Sequence, residues 1–119
     1  MQLQLYGNKI WIYNTAIDFR SSIDGLTALI VNNLKQNPQH GIYLFFNKNK
    51  DKIKCLSWHK NGFVLIYKRL EKGKFHFEPP KTPTQGVVAI KMDELSWLLA
   101  GLPWQKMRNW RELDYDKFT

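Results

Sequence analysis

Metal-assisted phosphoryl transfer needs several hard oxygen ligands converging on one point, and the carboxylates to try for that role are Asp18, Asp24, Asp51, Asp93 and Glu94. Their spacing singles out no three. Asp18 and Asp93 stand where helix caps are wanted, while Asp51 and Glu71 sit among lysines that they would neutralise locally. Nucleophilic catalysis finds no better support. Cys55 and His59 lie four residues apart on a β-prone run, about 13 Å along a strand, which is too far for a thiolate and imidazole pair. Neither GxGxxG nor GxxxxGK occurs, and one cysteine with three scattered histidines makes neither a disulfide nor a zinc site. The expectation is a protein that is not an enzyme, with no catalytic residues, no metal, no cofactor and no small-molecule substrate.

Charge offers more. The chain carries a net +8, and nine of its eighteen basic residues fall between Lys48 and Lys74, against only Asp51 and Glu71. These are Lys48, Lys50, Lys52, Lys54, Lys60, Lys68, Arg69, Lys72 and Lys74. A positive field of this kind attracts polyanions such as nucleic acid or an anionic membrane, without favouring DNA over RNA. Asn61-Gly62 sits between two β-prone runs and predicts a type I′ hairpin, because that turn needs two positive-φ residues. With those two as the loop, Lys60 pairs with Phe63, Trp58 with Leu65, Leu56 with Tyr67 and Lys54 with Arg69. Like charges then face each other, a repulsion that phosphates would relieve, and Trp58, Phe63 and Tyr67 offer stacking surface for bases. A second candidate surface is the apolar and cationic stripe of Leu102, Trp104, Met107 and Trp110 with Arg108 and Arg111.

The elements that must position these residues follow from periodicity. Leu3 and Leu5, then Lys9 to Tyr13, suggest an N-terminal hairpin. Phe19, Ile23, Leu26, Ile30 and Leu34 recur at steps of three and four, which predicts an amphipathic helix capped by Asp18 or Ser21 and ending before Pro38. Strands are expected at IYLFF, on both sides of Asn61-Gly62, at Phe75 to Phe77 and at Val87 to Lys91. A helix capped by Asp93 and closed by Gly101 follows, then a short helix around Trp104 to Trp110. The predicted class is α+β, a mainly antiparallel sheet with one N-terminal amphipathic helix and one or two C-terminal helices packed on it. Length favours a single domain over residues 1–119, with about 106–119 as a flexible tail. No apolar run is long enough to span a bilayer and no secretory leader is evident, so a cytoplasmic location without membrane contact is expected.

Several blocks in the chain resemble a known family. They are Asp18-Phe19-Arg20 with Ile23-Asp24-Gly25-Leu26, Asp51-Lys52-Ile53-Lys54 with Trp58 and Gly62-Phe63, Tyr67-Lys68-Arg69-Leu70-Glu71 with Gly73 and Phe75, and Leu98-Leu99-Gly101-Leu102 with Trp104. Over roughly residues 8 to 105 the sequence is similar to the accessory proteins (TnpB type, from the second open reading frame) of the insertion-sequence sixty-six family. The resemblance implies a helper in transposition, acting beside a separate transposase that cuts DNA. It marks Arg20, Asp24, Glu71 and Trp104 as motif or interaction residues. Two departures stand out: His59 follows the tryptophan where an acidic residue is common, and Asn47-Lys48-Asn49-Lys50 replaces an arginine-rich turn. Lysine keeps the charge there but lacks the bidentate fork. Combined with the charge pattern, the resemblance implies DNA binding through Lys48, Lys50, Lys52, Lys54, Trp58, Lys68, Arg69, Lys72 and Lys74, with contact to the transposase. The alternative is an adaptor that binds the transposase and never meets DNA.

Overall fold

The computed structural model describes residues 9–81 and 85–109. Five strands form one sheet: β1 (Ile10–Tyr13), β2 (Ile42–Phe46), β3 (Lys52–His59), β4 (Gly62–Arg69) and β5 (Val87–Ile90), in the order β4-β3-β2-β1-β5. Only β1 and β2 run parallel, and the other three pairings are antiparallel. The parallel pair is joined through α1 (Ile23–Asn32), since parallel neighbours cannot be connected by a tight turn. With α2 (Met92–Leu99) the class is α+β with a mainly antiparallel sheet, as the periodicity predicts.

The continuous apolar run IYLFF becomes the central strand because both of its faces are covered. Ile42, Leu44 and Phe46 point into one core, together with Ile12, Ile53 and Cys55 and with Leu95, Leu98 and Trp104 from the C-terminal region. Tyr43 and Phe45 point into the other, beneath Leu26 and Ile30 of α1. Every residue of β2 is buried. Burial of the apolar side chains at roughly 25 cal/mol per Å² is the main force joining the layers.

Several local expectations are corrected. The first helix begins at Ile23, with Ser22 as N-cap and no side-chain cap bond, because Asp18 is turned to Arg20 instead. Lys91, not Asp93, is the N-cap of α2, and its backbone N–H donates to Glu94 Oε1 at 2.8 Å. Gly101 closes α2 as expected: at φ +79° it lets Leu102 N–H reach back to Trp97 O at 2.9 Å. Phe75 to Phe77 form no strand. Both phenylalanines are buried under the sheet as an irregular segment, with Phe77 stacked between Phe46 and Trp104. Ile10–Tyr13 pairs with β2 and β5, and the expected hairpin partner around Leu3 and Leu5 lies outside the described residues. Of the expected tail, residues 106–109 continue a helix running over 104–109, and the rest, with Trp110 and Arg111, lies outside the described residues.

Trp104 holds the C-terminal layer down. It is fully buried, and its indole N–H donates to His76 O at 2.7 Å. Trp104→Ala is expected to destabilise the fold by about 3–5 kcal/mol through the cavity and the orphaned carbonyl, read as a lowered urea midpoint. Trp104→Phe should recover part of that loss.

Candidate nucleic-acid interface

The turn joining β2 to β3 is organised by one side chain. Asn47 Oδ1 accepts from Lys52 N at 3.0 Å, and its Nδ2 donates to Asp51 Oδ1 at 2.6 Å. That bond is the first cause of the lowered pKa of Asp51, with smaller help from Lys52 and Lys74. Lys50 closes the turn at φ 57°, a left-handed conformation uncommon outside glycine, asparagine and aspartate. Two backbone bonds then fasten the following loop to this turn: Leu70 N–H donates to Asp51 O and Phe75 N–H to Lys50 O, both at 2.7 Å. Gly73, at φ +85°, lets the chain reverse between them.

The hairpin register differs from the one expected, and this decides where the charges lie. The loop is Lys60-Asn61, with Lys60 at φ 54°, and Gly62 is already the first residue of β4. Trp58 now faces Phe63, Leu56 faces Leu65, Lys54 faces Tyr67 and Lys52 faces Arg69. A slip of two residues leaves every side chain on its own face but gives an edge-to-face Trp58–Phe63 pair at 4.9 Å and removes Lys54 from Arg69. Such cross-strand pairs contribute about 0.2–1 kcal/mol each, enough in sum to outweigh the turn preference of Asn-Gly.

Lys48, Lys50, Lys52, Arg69, Lys72 and Lys74 all lie at one end of the sheet, with Lys52 and Arg69 on the strand face toward α1 and Lys50, Lys72 and Lys74 beside a groove on the other side. That open groove of about 920 Å³ is rimmed by Lys72 and Lys74, floored by Phe75 and Phe77 and bordered by Lys106. The other expected residues are placed differently. Lys54 is only 8% exposed, and its ammonium donates to Phe19 O at 2.8 Å and Ser21 O at 2.6 Å. It is a tie inside the fold. Lys68 points to the opposite face and donates to Leu99 O at 2.6 Å, at the C-terminal end of α2. Lys50 belongs to both groups, since its ammonium bonds Phe77 O at 2.6 Å at the edge of the groove. Trp58 and Lys60 sit at the far end of the hairpin, Trp58 about 20 Å along the strand from Lys52.

Of the motif residues, Arg20 has a side chain 92% exposed and clasps Asp18 through Nε and Nη2, at 2.9 and 2.5 Å from Oδ2. The Arg20 hydrogen bonds hold the Asp18 carboxyl down to about 2. Glu71 takes the same two donors of Arg69, at 3.0 and 2.9 Å. Asp24 is exposed in the first turn of α1, where a negative charge suits the helix dipole. Trp104 is core, as described above, and Cys55 is buried with its thiol pushed up to about 12. The periodicity did contain a signal for Lys54, which shares a strand face with Leu56 and Trp58 and so points inward. Nothing local marked the Asp18–Arg20 clasp or the contribution of Lys106.

Fold and charge thus define a basic α+β protein with several lysines and an arginine at one end of its sheet, and no cluster of three or more metal-ligating side chains exists among the described residues. No described helix is long and apolar enough to cross a membrane. The family described as IS66 Orf2 like protein matches residues 8–109, and the chain belongs to that family, the accessory proteins of an insertion sequence. Two relatives come from Sinorhizobium fredii (strain NGR234). The uncharacterized protein y4jC is 36% identical over 103 residues, covering 86% of each chain. The uncharacterized protein y4hO is 29% identical over 105 residues, covering 87% of this chain and 89% of its own. No solved structure matches the chain.

Two measurements check this geometry. Lys54→Met removes the donor from two loop carbonyls and should cost about 1–3 kcal/mol in urea unfolding. The Asp18 clasp is fully formed above the unfolded carboxyl value of 3.8 and is lost as pH falls through about 2. A carboxyl NMR titration should show Asp18 titrating near 2, and Arg20→Ala should return it toward 3.8.

Proposed function

We propose that this accessory protein assists transposition by binding DNA through the cationic end of its sheet. The observation that carries the reading is that Lys48, Lys50, Lys72 and Lys74 lie on two loops fastened together by backbone hydrogen bonds, at the sheet end where Lys52 pairs with Arg69. Asp51 and Glu71 are the only carboxylates in that stretch of sequence, so the surface keeps a strong excess of positive charge. Lysines on turns suit phosphate contacts, which bring a protein to the duplex and set its register without reading bases. The proposed role is therefore backbone binding, with the catalytic step left to the transposase. Contact with that enzyme belongs to the proposal as well, and the groove beside Lys72 and Lys106, with its apolar floor, is the surface best shaped for it.

Electrophoretic shift titrations at several salt concentrations test the DNA half. Affinity should fall steeply with salt, and Lys72→Ala combined with Lys74→Ala should reduce the log–log slope by about 2, roughly 0.9 for each phosphate that is no longer neutralised. Lys60→Ala, at the far end of the hairpin, should leave the slope unchanged. A flat salt dependence, together with co-purification of the transposase after nuclease treatment, would favour the adaptor reading instead.

A further inference from the structure

Among the described residues, Tyr67 is the one aromatic side chain left half exposed, at 50%. It is not a loose surface ring. Its centroid lies 5.9 Å from that of Phe19, the Phe19 ring lies 4.8 Å from the Lys54 ammonium, and that ammonium is bonded to the carbonyls of Phe19 and Ser21. Lys54 is also the cross-strand neighbour of Tyr67. The buried lysine thus fixes the support against which the tyrosine ring leans.

Cations follow along the strand face and in the loop. Two residues further along the same strand face comes Arg69, with Lys52 directly opposite it, and Arg20 follows Phe19 in the supporting loop. Each arginine is oriented by a carboxylate that takes only Nε and Nη2, so Nη1 stands outside the pair. Exposed pairs of this kind are weak and yield readily to a phosphate. A half-exposed aromatic ring braced by a second ring and set among cations is an arrangement by which proteins hold unpaired bases, because every base has a π-face while the phosphates supply the charge.

We propose that Tyr67 is a stacking platform for an unpaired base of single-stranded DNA, with the adjoining phosphates held by Arg69, Lys52 and Arg20. This rests on the reading of the same sheet end as a DNA-binding surface and adds to it a preference for unpaired strands. In a duplex both faces of each base are already stacked, so the ring gains nothing there without extruding a nucleotide.

Fluorescence anisotropy with a labelled oligothymidylate and with a duplex of equal length tests the proposal. Tyr67→Ala should weaken single-strand binding about fivefold to a hundredfold, the range for one stacked base, and leave duplex binding nearly unchanged. Tyr67→Phe should retain single-strand affinity. On the wild-type protein, photocrosslinking to an oligonucleotide carrying 5-iodouracil should modify the peptide that contains Tyr67. If Tyr67→Ala binds oligothymidylate as the wild type does while the Lys72→Ala/Lys74→Ala double variant weakens both ligands, the platform is overturned and the cationic interface stands. Should the wild type bind neither ligand at low salt, both fail.

Discussion

The pairing of β3 with β4 is the constraint from which the arrangement of charge follows. Eight residues of each strand are matched in one antiparallel ladder, and Leu70 extends it by one more bond to Asp51. That ladder sets Lys52 beside Arg69, places Lys54 under the loop at Phe19, and carries the chain back so that residues 70–75 lie on the 47–51 turn. A shift of one residue would turn Ile53 and Cys55 out of their core and carry both Lys52 and Lys54 to the other face. The arrangement of cations at this end of the sheet therefore depends on the register, and the hydrophobic pattern of both strands holds it there.

Positive charge has two uses in this molecule, and they are separated by what surrounds each ammonium. Lys50, Lys54 and Lys68 reach backbone carbonyls of other segments and act as ties between loop, sheet and helix. Lys68 does so at the C-terminus of α2, where the helix dipole favours a cation. Lys48, Lys72 and Lys74 sit on turns and are exposed, available to any polyanion that approaches. The same lysine-rich segment thus holds both kinds, and the backbone bonds from Leu70 to Asp51 and from Phe75 to Lys50 fasten the two loops that carry the exposed ones.

The opposite layer is built on a different principle. Glu94 is almost wholly buried beneath the sheet, yet it is matched by the backbone of Lys91 and by the guanidinium of Arg108, which lies over the Trp104 ring. A buried carboxylate needs such partners to remain charged. The ion pair joins the start of α2 to the helical residues 104–109, so the groove between the 70–78 segment and the C-terminal region has a fixed wall. Membership in the insertion-sequence family gives this small protein its setting, and the groove and the cationic end adjoin, sharing Lys50, Lys72 and Lys74.

Periodicity and composition by themselves determined the class of fold, the central buried strand, the two principal helices, the existence of the β3–β4 hairpin and the segment in which positive charge is concentrated. The motif blocks determined the family. These are properties that alternation, helical spacing and residue type carry locally. Tertiary structure decided the rest. Asn61-Gly62 favoured a turn one residue later than the one formed, because a turn preference of local origin competes with eight cross-strand pairs and loses. Phe75 to Phe77 reads as a strand in isolation, but its rings are drawn under the sheet by Phe46 and Trp104. Which lysines became ties between segments depended on carbonyls up to 35 residues away in sequence, a relation that exists only once the chain has closed on itself.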